Sequence, residues 1–224
     1  MIKAKFVERK NRFVALVELD GEVVSAHVAN SGRLRELFTP GREVYLVEKE
    51  GEHRATRYDL ALVKYKGRFV SVDAHIPNDI VAAAIDRGQL QEFGGYTVLK
   101  REIKFGSSRL DMLAVDGEGK KFFIEVKSVT LVRDGVARFP DAPTERGARH
   151  LEELSKAVQE GHRGAVVFLI QRDDARQFSP NDETDPVFGE TLRRLASTGV
   201  EAYAYICRVT PRKIVIIRSI PVVL

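Results

Sequence analysis

The sequence SRLDMLAVDGEGKKFFIEVKSVT, residues 108–130, contains two apolar runs separated by a turn. Both runs are rich in β-branched and large apolar residues, and the acidic, glycine-rich DGEG between them is typical of a hairpin turn. If Val115 pairs with Lys121, the same register places Asp111 directly opposite Glu125. The stretch therefore predicts two adjacent antiparallel strands that carry a pair of facing carboxylates.

Three charges lie on one face of this predicted hairpin. Directly opposed Cβ atoms are about 4.5–5.5 Å apart, which is too close for two bare carboxylates in an apolar sheet. Lys127, two residues beyond Glu125, points to the same face. Two acids and a lysine predict a site for Mg²⁺ or Mn²⁺, cations that bind carboxylate oxygens. The alternative interpretation of Asp111, Glu125 and Lys127 is a structural ion-pair cluster.

The same three residues resemble the motif of PD-(D/E)xK nucleases, in which an acid, a hairpin and an acid-x-Lys follow in order. Spacing alone is a weak criterion, because Asp86, Glu102 and Lys104 satisfy it as well. The strand context favours the metal site, since FFIEVKSV is nearly continuously apolar, as in a strand covered on both faces. Charges buried in such a strand are costly unless they are paired or bind a metal.

The composition is that of a globular protein with a substantial core. The 224 residues suit one large domain or two small ones, and 44% of them are hydrophobic and 30% charged. No apolar run approaches the roughly 20 residues that span a bilayer, and the start MIKAKFVERK has no signal-peptide pattern. The single cysteine, Cys207, excludes an internal disulfide, and we expect it to pack as a small apolar side chain. These features predict a cytoplasmic protein.

Residues 1–77 have the pattern of a small β-barrel. Short strands separated by turn signals are expected at 4–7, 12–19, 22–28, 43–48, 56–64 and 68–73. With a short helical insert at 33–38, they predict an OB-like barrel, a fold that binds oligonucleotides on an open strand face. The net charge is +3 for residues 1–77 and +1 for residues 78–224. This excess suits phosphate contacts by the first domain, and solvated surface lysines would give the same number.

From residue 78 the pattern changes to alternating helices and strands. Helices are predicted at 79–93 with Asn78 as N-cap, at 144–160 with Thr144 as N-cap, and at 186–197. Strands at 96–105, 165–171, 200–207 and 213–219 join the hairpin, and a loop is expected at 133–143. The resulting αβββαβ order is that of the restriction-endonuclease-like core, which keeps its metal ligands on the second and third strands. We therefore expect residues 78–224 to form an α/β nuclease-like domain.

Several segments together carry a family resemblance that covers nearly the whole chain. The most specific is FPDAPTERGARHLEEL at 139–154. The others are RKNRF (9–13), HVANSGRLREL (27–37), EFGGYTVLKREIKFG (92–106), RLDML (109–113), IEVKSVTL (124–131), RQFSP (176–180) and SIPVVL (219–224). The chain thereby resembles the sugar fermentation stimulation protein A (SfsA) family. The resemblance implies an OB-like domain, a PD-(D/E)xK nuclease-like domain, DNA binding and a link to the regulation of sugar-utilisation genes.

The match to the nuclease motif implies roles for the hairpin residues. Asp111 and Glu125 would bind Mg²⁺ or Mn²⁺, with the backbone carbonyl of Val126 as a further ligand. The cation would polarise the phosphate and activate a bound water. Lys127 would lie beside that water, as an electrostatic stabiliser or a proton relay.

Further residues are assigned by their positions relative to the motif. Many such nucleases add an acid from the first core helix, and Glu92 is the candidate, with Glu102 as the alternative; a plain surface acid is the other interpretation of Glu92. Arg146 and His150 are four residues apart on one helix face, where they would contact a phosphate or simply face solvent. Zinc is not expected at His150, because no second His or Cys lies at zinc spacing.

Basic residues of the first domain are the other candidate nucleic-acid contacts. They are Arg9, Lys10, Arg12, Arg33 and Arg35. Phe13 lies beside the first three, and a ring among cations suits binding of a single strand. Its place in an apolar alternation predicts a core position instead, which is our expectation.

Two functions are compatible with these observations. The first is a DNA-binding, divalent-metal-dependent nuclease, and the alternative is a non-catalytic DNA-binding regulator of sugar-utilisation genes with an idle nuclease fold. Nucleotide hydrolysis and serine-hydrolase chemistry have no support, because the sequence contains no Walker, GxGxxG or GxSxG motif. DNA is the expected partner in both cases, and its strandedness stays open. A homodimer would let two sites reach two strands, although no heptad pattern supports one.

Overall fold

The computed structural model describes residues 1–51 and 54–224, which form two β-rich domains. The first domain contains strands β1 (Ile2–Asn11), β2 (Val14–Leu19), β3 (Glu22–His27), β4 (Glu43–Glu48), β5 (Tyr58–Tyr65) and β6 (Arg68–Ser71). These strands form one sheet in the order β3-β2-β1-β4-β5-β6. Each corresponds to a strand predicted from the turn signals.

Pairing between β3 and β5 closes this sheet into a five-stranded barrel. The two strands run parallel, with Ala26 opposite Tyr58. The inward side chains of the barrel form an apolar core of their own, so the predicted OB-like domain is confirmed. The helical insert predicted at 33–38 is a single turn, closed by a hydrogen bond from the amide of Phe38 to the carbonyl of Leu34 (2.9 Å).

The second domain is built on a six-stranded mixed sheet. Its elements are α1 (Ile76–Asp86), β7 (Thr97–Phe105), β8 (Ser108–Val115), β9 (Lys121–Val129), β10 (Val132–Arg133), β11 (Val136–Phe139), α2 (Glu145–Gln159), β12 (Arg163–Ile170), β13 (Gln177–Pro180), α3 (Pro186–Ala196), β14 (Glu201–Val209) and β15 (Ile214–Ile220). The main sheet has the order β15-β14-β12-β9-β8-β7, in which β12 runs parallel to β9 and β14. The predicted restriction-endonuclease-like αβββαβ core is present.

Helices on both faces of the main sheet explain the apolar runs of its central strands. The core between α1 and the sheet includes Val81 and Ile124, and the core beneath α2 and α3 includes Leu151. A strand covered on both faces carries few polar residues, so Glu125 in β9 is an exception. Cys207 packs in the α1 core as expected, where burial raises the pKa of its thiol to about 12.

Side-chain caps begin α2 and α3. The hydroxyl of Thr144 accepts a hydrogen bond from the amide of Gly147 (3.0 Å), which confirms the predicted cap of α2. The carboxylate of Asp185 accepts one from the amide of Phe188 (3.0 Å). Such caps satisfy amide donors that the first helical turn leaves free. None of the helices in residues 1–51 and 54–224 combines the length and the apolar composition of a membrane-spanning segment.

The first helix of the second domain differs from the predicted range 79–93. α1 spans Ile76–Asp86, and Asn78 lies inside its first turn rather than at the cap. Gly88 follows the helix with a φ of 64°, a conformation that terminates helices and suits glycine. Residues 91–93 form a separate 3₁₀ turn. The prediction of one long helix was wrong, because α1 and the 3₁₀ turn are two separate elements.

A small second sheet occupies the segment predicted as a loop at 133–143. Strand β10 pairs with β11, and β11 pairs with β13, in a three-stranded arrangement. Strands of two to four residues are too short to show a periodic pattern in sequence, which explains why they were missed. The chain leaves β11 towards the first domain before entering α2.

Polar contacts join the two domains beside the predicted site. The side-chain amide of Gln171 donates to the carbonyl of Asp73 (2.7 Å) and to the hydroxyl of Ser128 (2.8 Å). Asp73 ends the first domain just before α1, and Ser128 directly follows Lys127 in β9. The domain junction therefore lies next to the charged residues of the hairpin.

Candidate active site

The β8–β9 hairpin has the predicted register and opens at the predicted site. The last pair of its ladder is Met112 with Ile124, one step before Asp111 would face Glu125. Beyond that pair the carboxylate of Asp111 accepts a hydrogen bond from the amide of Val126 through Oδ2 (2.7 Å). A side-chain hydrogen bond thus takes the place of a backbone bond between the strands. It holds the Asp111 carboxylate against β9, at the residue next to Glu125.

Glu125 has one occupied and one free carboxylate oxygen. Its Oε1 accepts hydrogen bonds from the Lys127 ammonium (2.6 Å) and from Nδ1 of His150. Its Oε2 is buried and has no hydrogen-bond partner among the described residues. Burial raises the pKa of Glu125, but Lys127 and His150 outweigh burial and lower it to about 2. The group is therefore a buried carboxylate, ionised at neutral pH, with one bare oxygen.

His150 connects helix α2 to that carboxylate. Its Nε2 accepts a hydrogen bond from Nε of Arg146 (3.1 Å), one helical turn earlier. Nε2 therefore carries no proton, and Nδ1 is the nitrogen that donates to Glu125. Both ring nitrogens are engaged, so His150 is an orienting group rather than a metal ligand. The prediction that His150 contacts a phosphate is not supported, because the residue is only 3% exposed. Arg146 is exposed, so its predicted phosphate contact stays a prediction.

Asn78 is a site residue that the sequence analysis missed. Its side-chain amide donates to Oδ1 of Asp111 (2.9 Å) from the first turn of α1. Burial raises the pKa of Asp111 to about 6, with the nearby charge of Glu125 adding to the effect and the Val126 amide, Lys127 and Asn78 opposing it. The sequence signal at Asn78 was interpreted as a helix cap, and no spacing rule linked it to Asp111.

The structure does not bring Glu92 to this cluster. Its carboxylate accepts a hydrogen bond from the hydroxyl of Tyr205 in β14 (2.7 Å). The alternative acid, Glu102, lies on the edge strand β7 and pairs with Arg109 (3.2 Å). The helix-borne contact to the motif is Asn78 instead. A catalytic role of Glu92 has no geometric support, since its carboxylate belongs to a different polar network.

The donor set fits a hard divalent cation with few protein ligands. Two carboxylates and several waters are a common environment for Mg²⁺, and Asp111 and Glu125 supply two carboxylates. The bare, buried Oε2 of Glu125 is the polar atom that a cation would satisfy. Within residues 1–51 and 54–224, no three His, Cys, Asp or Glu side chains form a metal-binding group. The carbonyl of Val126 stays a predicted further ligand.

Arg9, predicted as a nucleic-acid contact, is committed to the backbone of its own domain. Its guanidinium donates to the carbonyls of Arg12 (2.5 Å), Asn30 (2.7 Å), Gly32 and Arg33 (3.0 Å). Burial lowers the pKa of Arg9, with Asp141 opposing the shift and Arg12 adding to it. Arg9 therefore shapes the loops that carry the other basic residues, and its own role as a nucleic-acid contact stays a prediction.

The remaining predicted basic residues are exposed. Arg12, Arg33 and Arg35 line one groove beside Ala142 and Pro143, at the junction of the domains. Lys10 is exposed on β1 outside the lining of that groove. These four residues, with Arg146, are free to contact phosphates, and their binding role stays a prediction.

Comparisons with known proteins agree with the architecture. The profile described as SfsA N-terminal OB domain matches residues 7–72, and that described as Sugar fermentation stimulation protein RE domain matches residues 75–213. A sugar fermentation stimulation protein homolog of Desulforamulus reducens is 49% identical over 222 residues, covering 99% of this chain and 92% of the relative. A homolog of Caldanaerobacter subterraneus is 50% identical over 210 residues, covering 93% of this chain and 91% of the relative.

A solved structure extends the agreement to the whole fold. Pyrococcus furiosus SfsA in complex with Ca²⁺ superimposes with a TM-score of 0.93 at 32% identity, covering 100% of this chain and 96% of that one. The two profile matches together span most of the sequence, and the identities extend over both domains. The chain therefore belongs to the sugar fermentation stimulation protein family.

Proposed function

We propose that this protein binds DNA and hydrolyses phosphodiester bonds at a divalent-metal site formed by Asp111 and Glu125. The observation that carries the proposal is the bare, buried Oε2 of Glu125 beside a second carboxylate. The Ca²⁺ complex of Pyrococcus furiosus SfsA supports it, because Ca²⁺ and Mg²⁺ both bind oxygen ligands. The family membership supports a nuclease-like domain as the scaffold.

The chain's own residues supply binding and charge at such a site. Asp111 and Glu125 would bind the cation, and the Val126 carbonyl would add a ligand. When bound, Mg²⁺ or Mn²⁺ would supply Lewis acidity and a water of lowered pKa. The Lys127 ammonium lies 2.6 Å from Glu125 Oε1. It would offset negative charge that develops on the phosphoryl oxygens.

His150 and Asn78 hold the two carboxylates in place. The Nδ1–H of His150 fixes one oxygen of Glu125, which leaves the other directed away from protein donors. The Asn78 amide fixes Oδ1 of Asp111. Partners of this type are worth about 10–100-fold in metal affinity in known sites. Both are positioning residues, because neither would touch the substrate or the cation.

A second function, DNA binding without turnover, is favoured by a different observation. Both oxygens of Asp111 and one oxygen of Glu125 already have protein donors. A cluster satisfied to this extent also suits a retained but idle site in a regulator of sugar-utilisation genes. Both functions involve DNA binding, and they differ in whether the DNA is cleaved at the metal site.

Cleavage of labelled DNA separates the two functions. Purified protein is incubated with single-stranded, duplex and branched DNA in Mn²⁺, Mg²⁺ or EDTA. We expect cleavage with a metal and none in EDTA, and a loss on the order of 10³-fold in Glu125→Ala, since the metal and its charge stabilisation are removed. Glu102→Ala is the matched control, because it removes an exposed acid that is paired outside the site.

Binding without cleavage in both metals would contradict the nuclease and support the regulator. If Glu125→Ala and the isosteric Glu125→Gln both fail to fold, the cluster is structural and the site assignment is wrong. Retained cleavage in a folded Glu125→Gln variant would have the same consequence for the assignment.

A further inference from the structure

An arginine-lined groove at the domain junction lies outside the candidate metal site. It has a volume of about 510 Å³ and lies between the barrel and the segment that leads into α2. Its lining includes Arg12, Arg33 and Arg35 from the barrel and Pro143 from the second domain. Among the described residues, no carboxylate lies within ion-pair distance of these three guanidinium groups, whereas Arg57, for example, pairs with Glu48. The groove therefore offers a ligand three guanidinium groups that no described ion pair neutralises.

Arg9 builds the barrel side of this groove. One of its terminal nitrogens bridges the carbonyls of Arg12 (2.5 Å) and Asn30 (2.7 Å), and the other contacts those of Gly32 and Arg33. The β1–β2 turn is thereby tied to the loop after β3. The backbones of Arg12 and Arg33 are held together while their side chains remain outside the network, so both exposed guanidinium groups extend from a fixed backbone.

The side of the groove formed by the second domain is fixed by Asp141. Its carboxylate accepts a hydrogen bond from the amide of Leu34 (3.0 Å). Gly32 packs so tightly against it that a Cβ there would lie 2.4 Å from a carboxylate oxygen. A larger residue at position 32 would force the Asp141 carboxylate to shift away from the Leu34 amide. Pro143, two residues beyond Asp141, is therefore held at a defined position opposite the arginines.

An exposed aromatic side chain directly follows Arg12, one of the residues that line the groove. It belongs to Phe13, which was expected in the core from its sequence pattern but is 48% exposed in the β1–β2 turn. Its backbone is fixed, because its amide contacts the Asn11 side chain (2.9 Å) and its carbonyl accepts from Val28 (2.8 Å). Proteins that bind single strands combine a basic groove with rings on which unpaired bases stack. The bases of a duplex are stacked on one another and leave such a ring without a partner.

We propose that this groove binds a single-stranded segment of DNA, with phosphates on Arg12, Arg33 and Arg35 and a base stacked on Phe13. The proposal rests on the proposed function, because it supplies the substrate class for that site. A connected set of contacts leads from the groove to the metal centre. Pro143 lines the groove, Arg146 follows three residues later in the first turn of α2 and contacts His150, and His150 contacts Glu125. In this proposal, a strand held in the groove continues along these contacts towards the two carboxylates.

A tryptophan at position 13 tests the stacking directly. The chain contains no tryptophan, so Phe13→Trp introduces a single indole whose emission is quenched by a stacked base. Titrations use oligo(dT) and a blunt duplex, in EDTA so that no cleavage occurs. We expect strong quenching by the single strand and little by the duplex. Val187→Trp, at an exposed position on α3, is the control and should show no quenching.

Two further variants measure the affinity. Phe13→Ala should weaken oligo(dT) binding by about 5- to 150-fold, the usual range for one stacked base. Arg33→Ala should weaken binding and reduce the slope of log K against log salt by about 0.7, because one phosphate contact is lost. Arg212→Ala, which removes an exposed arginine from the β14–β15 turn, is the matched control and should leave the slope unchanged.

Equal quenching by duplex and single strand, or an unchanged salt slope in Arg33→Ala, would overturn the proposal. Its failure is distinguishable from that of the nuclease function. Metal-dependent cleavage without quenching would keep the nuclease and reject the groove, whereas quenching in EDTA without cleavage in Mn²⁺ would keep the groove and reject the nuclease.

Discussion

Two carboxylates on the same sheet, Glu125 in β9 and Glu201 in β14, have contrasting surroundings. Both oxygens of Glu201 accept from the Arg163 guanidinium (2.8 and 2.6 Å), and one also accepts from the Tyr203 hydroxyl (2.5 Å). Glu125 has both donors on one oxygen and none on the other among the described residues. A fully satisfied carboxylate stabilises a fold, whereas a buried bare oxygen costs free energy unless a ligand satisfies it.

Glu92 belongs to the same polar network as Glu201 and lies outside the candidate site. Its carboxylate accepts from Tyr205, and its backbone carbonyl accepts from Arg163 (3.2 Å), which links it to the Glu201 network. Motif spacing selects acids without regard to their partners. A buried oxygen without a donor, together with a second carboxylate beside it, distinguishes the candidate cation site from a structural ion pair.

The largest expected effect is that of Asp111→Asn on stability and metal response. The pKa of Asp111 is raised to about 6 from its usual 3.8, so the native state binds this proton more tightly than the unfolded state. Stability from this group is therefore present at low pH and lost as pH rises from about 4 to 6. Removing the charge should stabilise the metal-free protein at pH 7–8 by up to about 3 kcal/mol, at 1.36 kcal/mol per pKa unit.

Urea unfolding in EDTA between pH 4 and 8 checks this expectation. The wild-type protein should lose stability across the window relative to Asp111→Asn, and replacing the EDTA with Mn²⁺ should restore stability only in the wild type. A variant that is less stable than the wild type at pH 8 would show that Asp111 is a structural partner, as Glu201 is.

A smaller effect is expected from His150, the residue that occupies Oε1 of Glu125. His150→Leu removes the donor, whereas His150→Asn keeps an N–H close to the position of Nδ1. We expect Mn²⁺ affinity, measured calorimetrically, to fall about 10–100-fold in His150→Leu and only a few-fold in His150→Asn. Equal losses in both variants would indicate that packing of the ring, rather than its hydrogen bond, is what matters.

The hairpin register was predictable, because it depends only on local sequence. A short turn and two apolar runs fix which residues face each other, and the observed pair Met112–Ile124 follows the predicted register. The cap of α2 at Thr144 was predictable for the same reason. Such features need no knowledge of distant residues.

The parts that sequence reasoning missed depend on contacts between distant segments. Asn78 reaches Asp111 from another element, and Arg9 donates to a loop more than 20 residues away. Phe13 alternates like a core residue, yet it lies where the β1–β2 turn leaves the barrel and is exposed. Local propensity is overridden in each case by tertiary placement.

The smallest expected effect is that of Arg163→Met, which tests whether the Glu201 network is purely structural. Arg163→Met leaves Glu201 without its paired donors and removes a guanidinium that lies 3.9 Å from the Phe122 ring centroid. The pair is partly exposed, with side chains 35% and 26% accessible, so solvent reduces its contribution. We expect a loss of about 1–2 kcal/mol in the free energy of unfolding, measured in urea. Mn²⁺ affinity should stay that of the wild type, because the network shares no donor with Glu125. If Arg163→Met weakens Mn²⁺ binding as much as His150→Leu does, the two carboxylate networks are coupled through the sheet, and the division into a structural and an open site does not hold.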